Sequence, residues 1–93
     1  MRDTLTEEER KYVKENIFDG LQEDINKVLL FGNTQRASIM LESSIKQLKF
    51  DKKKYETRIV FDRMSETEYV LRIQARAKDC EEVCSFNCPI KAS

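Results

Sequence analysis

The spacing of apolar residues changes at Tyr55, and this change limits most strongly what the chain can fold into. Before Tyr55, apolar residues recur every three or four positions, which is the period of an amphipathic helix. Over residues 55–63 and 68–77 they alternate with polar residues, as they do in half-buried strands. The sequence therefore predicts helices in the first half of the chain and a β-hairpin after them.

Two helices are predicted ahead of the hairpin. The first, over residues 6–31, begins at the capping box Thr6-Glu7-Glu8-Glu9 and continues past Gly20, because its apolar stripe is unbroken there. The pair Gly32-Asn33 is typical of a helix end, and a second helix is predicted over residues 34–49. Because the connection is so short, the two helices are predicted to form an antiparallel hairpin.

The register of the β-hairpin can be predicted from parity. If Met64 lies opposite Glu68, then Phe61 lies opposite Leu71 and apolar residues face each other along both strands. A shift of one residue would place Phe61 against Arg72 and mix the two faces, so this register is strongly preferred. The hairpin should then have one apolar face, which packs on the helices, and one charged face.

The predicted fold class is α+β, in a single domain over residues 1–93. An N-terminal antiparallel helical hairpin packs on a two-stranded antiparallel β-hairpin, and the tail over residues 79–93 carries a short cysteine-bearing helix or turn. A chain of this length can bury only one core. Two strands alone are marginal in water, so their edges must be covered, charged or paired with another chain. A homodimer would satisfy this requirement.

Three cysteines, Cys80, Cys84 and Cys88, are spaced four residues apart just before Pro89. On a helix they would share one face, but the residue before a proline is disfavoured in helical conformation. We therefore expect two thiols on a short helix and the third on an extended segment. The sulfurs could then hold zinc or an iron-sulfur cluster, form a redox pair, or pack as small apolar side chains.

Packing is the favoured interpretation of the three cysteines. A zinc site would need a fourth ligand from Asp79, Glu81 or Glu82, from a solvent molecule or from another chain, since this chain has no histidine. A disulfide between cysteines one helical turn apart is disfavoured, because their β-carbons lie too far apart in an intact helix. The acidic neighbours also oppose thiolate formation. Unpaired cysteine packs readily in protein cores. We expect no cofactor, with a zinc or iron-sulfur site at Cys80, Cys84 and Cys88 as the alternative.

Charge and composition argue against several classes of function. The 17 basic and 17 acidic residues cancel, which removes the broad positive field that drives non-specific binding to nucleic acid. Without histidine the chain lacks the most common general acid and base, and it has no glycine-rich phosphate-binding loop. The N-terminus has no apolar signal region. We therefore predict a cytoplasmic protein that is not an enzyme and does not bind membranes.

Nucleic-acid binding by a transcriptional regulator is one alternative function. The turn before the second helix loosely resembles a helix-turn-helix motif, but Asn33 stands where an apolar residue usually follows the turn glycine. The charged sheet face also carries acidic residues, and Glu56 is placed to neutralise one arginine across the hairpin. The candidate contacts to nucleic acid are Arg36, Arg58, Arg72, Arg76 and Lys78.

Protein binding is the favoured function. The apolar run that ends the first helix cannot all point inward from one helix face, so part of it must meet another surface. The predicted partner-binding residues are Leu30, Phe31, Val60 and Val70. We predict a small non-catalytic regulatory or inhibitory protein that binds another protein or itself as a homodimer. Its size resembles that of accessory proteins of bacteria and their phages. A metal-stabilised binding module is the second alternative.

Overall fold

A computed structural model of the chain describes residues 1–30 and 33–91. The first helix, α1, spans residues 7–28 in four consecutive segments: α-helical Glu7–Val13, π-helical Lys14–Phe18, a 3-10 turn at Asp19–Leu21 and α-helical Gln22–Val28. The second helix, α2, spans Thr34–Gln47. Three strands follow, β1 at Tyr55–Arg63, β2 at Glu68–Ala77 and β3 at Cys84–Lys91.

The three strands form one antiparallel sheet in the order β1-β2-β3. The α+β class is therefore correct, but the predicted architecture is wrong. The structure has one helix of 22 residues, a second helix and a three-stranded sheet, in place of a helical hairpin on a two-stranded hairpin. The cysteine-bearing tail is a strand, and neither a helix nor a turn is found over residues 84–91.

The cysteine spacing of four residues is compatible with a strand as well as with a helix, because four is close to one helical turn and is also a multiple of two. Phe86 and Ile90 complete the alternation that Cys84 and Cys88 begin. In the sheet Phe86 lies opposite Ile73. Pro89, which disfavours a helix here, is tolerated because β3 is an edge strand.

The helices bury their apolar stripes in one core together with the sheet. Both helices pack on the same face of the sheet. Tyr12 of α1 stacks on Tyr55 of β1 with ring centroids 5.1 Å apart, and Phe18 of α1 lies 6.0 Å from Phe86 of β3. α2 packs against β1 and the second half of α1.

The hairpin of β1 and β2 begins and ends at the predicted residues, and it has the predicted register. Phe61 lies opposite Leu71, and Ile59 lies opposite Ile73. The N–H of Met64 donates a hydrogen bond of 2.9 Å to the carbonyl oxygen of Glu68, which extends the ladder to the turn. The alternation of side chains was sufficient to predict this pairing.

Alternation gives the sheet two faces. The helix-facing face carries the core residues of the strands, including Leu71, Ile73 and Ala75, which are buried to 1% exposure or less. The outer face carries the charged side chains together with Val60 and Val70. Leu5, just before α1, is also in the core, and the helices complete it with Val13, Ile17, Leu21, Ile25, Val28, Ala37, Leu41 and Ile45.

The ends of the helices follow the predicted capping at some positions only. The capping box forms, with the Thr6 hydroxyl accepting from the Glu9 N–H at 3.1 Å, and the Asn33 side chain caps α2. The helix continues through Gly20, where a β-carbon would lie 2.9 Å from a methyl of Leu48, so the residue permits close packing. α1 ends at Val28 and α2 at Gln47, short of the predicted 31 and 49.

Neither helix of the described residues combines the length and the hydropathy that crossing a lipid bilayer requires.

Candidate functional site

Backbone hydrogen bonds alternate in direction along an antiparallel strand, and this alternation leaves the outer edge of β1 unpaired. The N–H of Lys78 donates to the carbonyl oxygen of Lys54 at 2.8 Å, just before β1. The bond from the Met64 N–H to Glu68 lies ten residues further along, just after β1, in the same ladder. Residues bonded to β2 therefore have even numbers, and the odd-numbered residues of β1 direct their N–H and C=O groups away from β2. No hydrogen bond from these groups to another described residue is found at Thr57, Ile59 and Phe61. We call these three residues the free edge.

The opposite edge of the sheet is interrupted by a proline. The odd-numbered residues of β2 bond to even-numbered residues of β3, so Ser85, Asn87 and Pro89 direct their backbone outward. Pro89 has no N–H to offer there, and prolines on edge strands are a common protection against unwanted pairing. Of the two edges, β3 is interrupted by a proline and β1 is not, so β1 is the edge better suited to accept another strand.

A groove lies beside the free edge, between β1 and α2. It has a volume of about 340 Å³ and is lined by Glu42, Ile45, Lys46, Thr57, Arg58 and Ile59. Ile39 lies on the same side of α2 as Glu42 and Lys46, because these positions are three and seven residues apart. Its side chain is 66% exposed. A strand added to β1 would therefore lie beneath an exposed isoleucine and alongside the partly exposed Ile59.

The predicted partner-binding residues do not form one patch. Val60 and Val70 are half-buried diagonal neighbours on the outer face, since Val60 lies opposite Arg72 and Val70 opposite Asp62. Leu30 is 86% exposed in the turn after α1. Phe31 lies outside the described residues.

Most of the candidate nucleic-acid contacts lie on the outer face, where acidic residues neutralise two of them. Arg76 forms an ion pair with Glu56, and Arg72 pairs with Asp62 at 3.1 Å. Arg58 has no carboxylate partner within residues 1–30 and 33–91. A shallow cavity of about 400 Å³ lies beside Arg58 and Arg76. The other two candidates are exposed, Arg36 in the first turn of α2 and Lys78 after β2.

The outer face is thus a mixed-charge surface. One polar atom on it, the Nε of Arg72, is buried without an acceptor among the described residues. A surface of alternating signs does not supply the run of unpaired cations that phosphate backbones require.

The structure does not bring the three cysteine sulfurs together. Cys80 is fully buried after β2, whereas Cys84 and Cys88 lie on the helix-facing side of β3. Four residues of strand separate the last two by about 13 Å. Over the described ranges, no three side chains of metal-binding type are close enough to hold an ion. The helical arrangement on which the metal interpretation depended is absent.

Burial explains the properties of the thiols on β3. Desolvation raises the pKa of Cys84, and the charge of Glu82 raises it further. Desolvation also raises the pKa of Cys88. Both groups are therefore protonated at neutral pH, when they are poor nucleophiles and poor metal ligands.

We expect slow thiol chemistry in the native protein. Cys80 should not react with a thiol reagent such as Ellman's reagent until the protein unfolds, because its side chain is inaccessible. Cys84 and Cys88 should react slowly at pH 8, and their rates should still rise above pH 9, because burial disfavours the thiolate. Rapid reaction of one thiol at pH 7 would contradict this expectation, and protection of all three by added zinc would support the metal alternative.

A cluster of ion pairs near the N-terminus was not predicted from the sequence. Arg2 forms two hydrogen bonds to the buried carboxylate of Glu9, at 2.5 and 2.9 Å, and two to Asp79, at 2.9 and 3.2 Å. Lys54 approaches Glu9 at 3.5 Å. Arg10 forms a two-fold hydrogen-bonded pair with Glu82 at 2.7 and 2.8 Å. These contacts fasten α1 to the connection between β2 and β3.

The sequence analysis also missed the residues of the free edge as functional candidates. The sequence places Thr57, Ile59 and Phe61 on the apolar face of the hairpin through their side chains, but it does not by itself show where their backbone groups point. The signal that identifies their backbone groups is the hydrogen-bond parity, which depends on the turn between β1 and β2 as well as on the register.

Comparison of the chain with models of known protein families, with characterised proteins and with solved structures gave no match.

Proposed function

We propose that this chain is a non-catalytic regulatory or inhibitory protein that acts by binding an extended protein strand along the free edge of β1. The observation that carries the proposal is the asymmetry of the sheet. One edge presents an uninterrupted row of unpaired N–H and C=O groups at Thr57, Ile59 and Phe61, whereas the other is interrupted by Pro89. Strand addition to an exposed sheet edge is a common mode of protein recognition, in which main-chain hydrogen bonds supply affinity.

The side chains near the free edge add specificity to this mode. The groove beside β1 offers apolar contacts at Ile45 and Ile59 and charged contacts at Glu42 and Lys46. The exposed Ile39 extends the apolar part along α2. An incoming strand with alternating apolar and polar residues would place its apolar side chains under α2 and its polar ones on the outer face.

The alternative functions have less support. Ion pairs occupy Arg72 and Arg76, two of the five candidate contacts to nucleic acid. The cysteines lie on different parts of the sheet and its connection, and burial raises the pKa of two of the thiols.

The proposal can be tested with a matched pair of proline substitutions. Thr57→Pro removes an outward N–H from the β1 edge, and Ser85→Pro removes an outward N–H from the β3 edge. Neither change breaks a hydrogen bond of the sheet. We expect binding to be lost with Thr57→Pro and retained with Ser85→Pro. The measurement is capture by the immobilised protein, together with hydrogen exchange of the Ile59 and Phe61 amides, which should slow when a strand is bound.

Two results would overturn the proposal. One is a binding partner, either this chain itself or another protein, that Thr57→Pro and wild type bind equally. The other is the absence of any partner, with Ile59 and Phe61 amides that exchange rapidly at the highest protein concentration. Circular dichroism of both proline variants shows whether each retains the native fold.

A further inference from the structure

We propose that the strand that occupies the free edge is β1 of a second copy of this chain, paired antiparallel about a two-fold axis at Val60. The two three-stranded sheets would join into one sheet of six strands. This inference rests on the proposed function, because it names the partner for the same edge. It is argued from the register, from the charges on the outer face and from the position of α2.

Symmetry and hydrogen-bond parity restrict the register to a few choices. A two-fold axis perpendicular to the sheet pairs each residue of β1 with the residue equally far on the other side of the axis. The outward backbone groups belong to odd-numbered residues, so odd must pair with odd and the axis must pass beside a residue. The central choices are therefore the five positions from 58 to 62.

Only the axis at Val60 gives favourable pairs on both faces. On the helix-facing side it pairs Ile59 with the partner's Phe61, and the reverse. On the outer face it places Val60 against the partner's Val60, and Arg58 against the partner's Asp62. Cross-strand pairs of apolar residues and of opposite charges each stabilise a sheet.

The other four axes each place unfavourable pairs together. An axis at residue 58 or 62 sets Arg58 against the partner's Arg58, or Asp62 against the partner's Asp62. An axis at residue 59 opposes Glu56 to the partner's Asp62. An axis at residue 61 opposes Val60 to the partner's Asp62. Like charges directly opposite each other are destabilising. A valine opposite an aspartate shields the carboxylate from water and offers it no hydrogen-bond donor.

The proposed register uses the one arginine of the outer face that has no acidic partner in the described chain. Arg76 and Arg72 are engaged by Glu56 and Asp62, whereas Arg58 is not. Asp62 can accept from two donors because an ionised carboxylate has two oxygens and about four lone-pair sites. The dimer therefore completes a network in which the partner's Arg58 joins Arg72 at Asp62.

The helices are compatible with this pairing. A two-fold axis perpendicular to the sheet keeps α2 of both copies on the same side, one on each side of the joined β1 strands. Ile39, which is 66% exposed, lies on the side of α2 that borders the free edge. Pairing would thus cover an exposed isoleucine and the partly exposed Ile59 and Phe61 together.

The dimer would also be a closed assembly that does not grow by adding further copies. After the two β1 strands pair, the outer strands of the six-stranded sheet are the two copies of β3, and each carries Pro89 at its open edge. Growth into a longer sheet is then opposed at both ends. A finite dimer follows from the same asymmetry that left β1 open.

The first test compares two valine-to-lysine substitutions on the same face of the sheet. Val60→Lys places two cations opposite each other at the axis, whereas Val70→Lys adds the same charge on the central strand. Sedimentation velocity should show wild type and Val70→Lys as dimers. Val60→Lys should dissociate roughly 100-fold more readily, because the like charges repel each other and the apolar pair at the axis is lost. Circular dichroism controls for folding.

The second test uses charge complementation and depends on the register. Arg58→Asp alone sets acidic residues opposite the partner's Asp62, and Asp62→Lys alone sets a lysine opposite the partner's Arg58. Each variant should be predominantly monomeric at concentrations where wild type is dimeric. A mixture of the two should form heterodimers, because each strand pair then has opposite charges at both positions. Native mass spectrometry distinguishes the heterodimer by mass.

A cross-link provides a measurement that does not depend on charge. Val60→Cys places two thiols at a non-hydrogen-bonded pair, whose α-carbons lie about 4.5 Å apart and can form a disulfide. Mild oxidation should give a covalent dimer from Val60→Cys and none from Val70→Cys.

Three outcomes would overturn the proposed dimer: a monomeric wild type at millimolar concentration, equal dissociation of Val60→Lys and Val70→Lys, or no heterodimer in the mixture. None of them removes the proposed function if another protein still binds wild type and not Thr57→Pro. Loss of that differential binding is the separate failure of the proposed function.

Discussion

Replacing Ile73 with alanine is expected to destabilise the fold by about 3–4 kcal/mol. Ile73 is fully buried at the centre of β2, between Ile59 on one neighbouring strand and Phe86 on the other. Truncation removes apolar contacts to both strands and leaves a cavity that the sheet cannot close by a local shift. Since small domains are stable by about 5–15 kcal/mol, the loss is a large fraction of the total.

The measurement is urea or thermal unfolding followed by circular dichroism, at one fixed protein concentration because association would add to stability. A loss of this size should lower the melting temperature by on the order of 15 °C. Val70→Ala is the matched control, because Val70 is on the same strand but on the outer face, and it should cost under about 1 kcal/mol. Equal losses for the two variants would show that the assignment of the two faces is wrong.

The β-hairpin was predictable from the sequence because its information is local. Alternation over 55–63 and 68–77 fixes both the strands and their register, since a shift of one residue would expose the apolar set. The third strand was not predictable in the same way. Cys84 and Cys88 fit a helical and an extended period equally, and the alternation of Phe86 and Ile90 with polar residues is too short to decide between the two.

The candidate site was only partly within reach of sequence reasoning. The charged outer face and the pairing of Glu56 with Arg76 follow from the register. The choice between two sheet edges does not, because it depends on whether β1 lies at an edge and on which of its backbone groups bond to β2. In a two-stranded hairpin both strands are edge strands, and nothing distinguishes one edge from the other. The third strand makes β1 one edge of the sheet and places Pro89 on the opposite edge.

The contacts of Arg2 show a further limit. Its partner Asp79 is 77 residues away in the chain, and ion pairs of that separation have no periodic signal. The capping box at Thr6 and Glu9 was visible, but the second role of Glu9 as an acceptor for Arg2 and Lys54 was not. One carboxylate therefore joins local helix capping to the tertiary fold.

Replacing Glu9 with alanine is expected to destabilise the fold by about 2–3 kcal/mol. The substitution removes the hydrogen bond from the Thr6 N–H, the two bonds from Arg2 and the approach of Lys54. Hydrogen bonds to charged groups contribute about 1.5–3 kcal/mol, and a lost helix cap costs about 1 kcal/mol. Unfolding in urea measures the change. Glu8→Ala, on the exposed side of the same turn, should change stability by less than about 0.5 kcal/mol.

The same carboxylate should make stability depend on acid pH. Hydrogen bonds from Arg2 and from the Thr6 N–H hold the pKa of Glu9 well below its ordinary value of 4.5. A lowered pKa means that the unfolded chain binds the proton first, so the contribution of Glu9 is fully present above about pH 4.5 and is lost progressively below it. Glu9→Gln keeps a side chain that can complete the capping box but removes the charge. Its free energy of unfolding should therefore fall less than that of wild type between pH 5 and about pH 2. Equal slopes for the two proteins would show that neither the Arg2 contact nor the Thr6 N–H bond holds this carboxylate in solution, because only a carboxylate without both partners would titrate alike in the folded and unfolded chains.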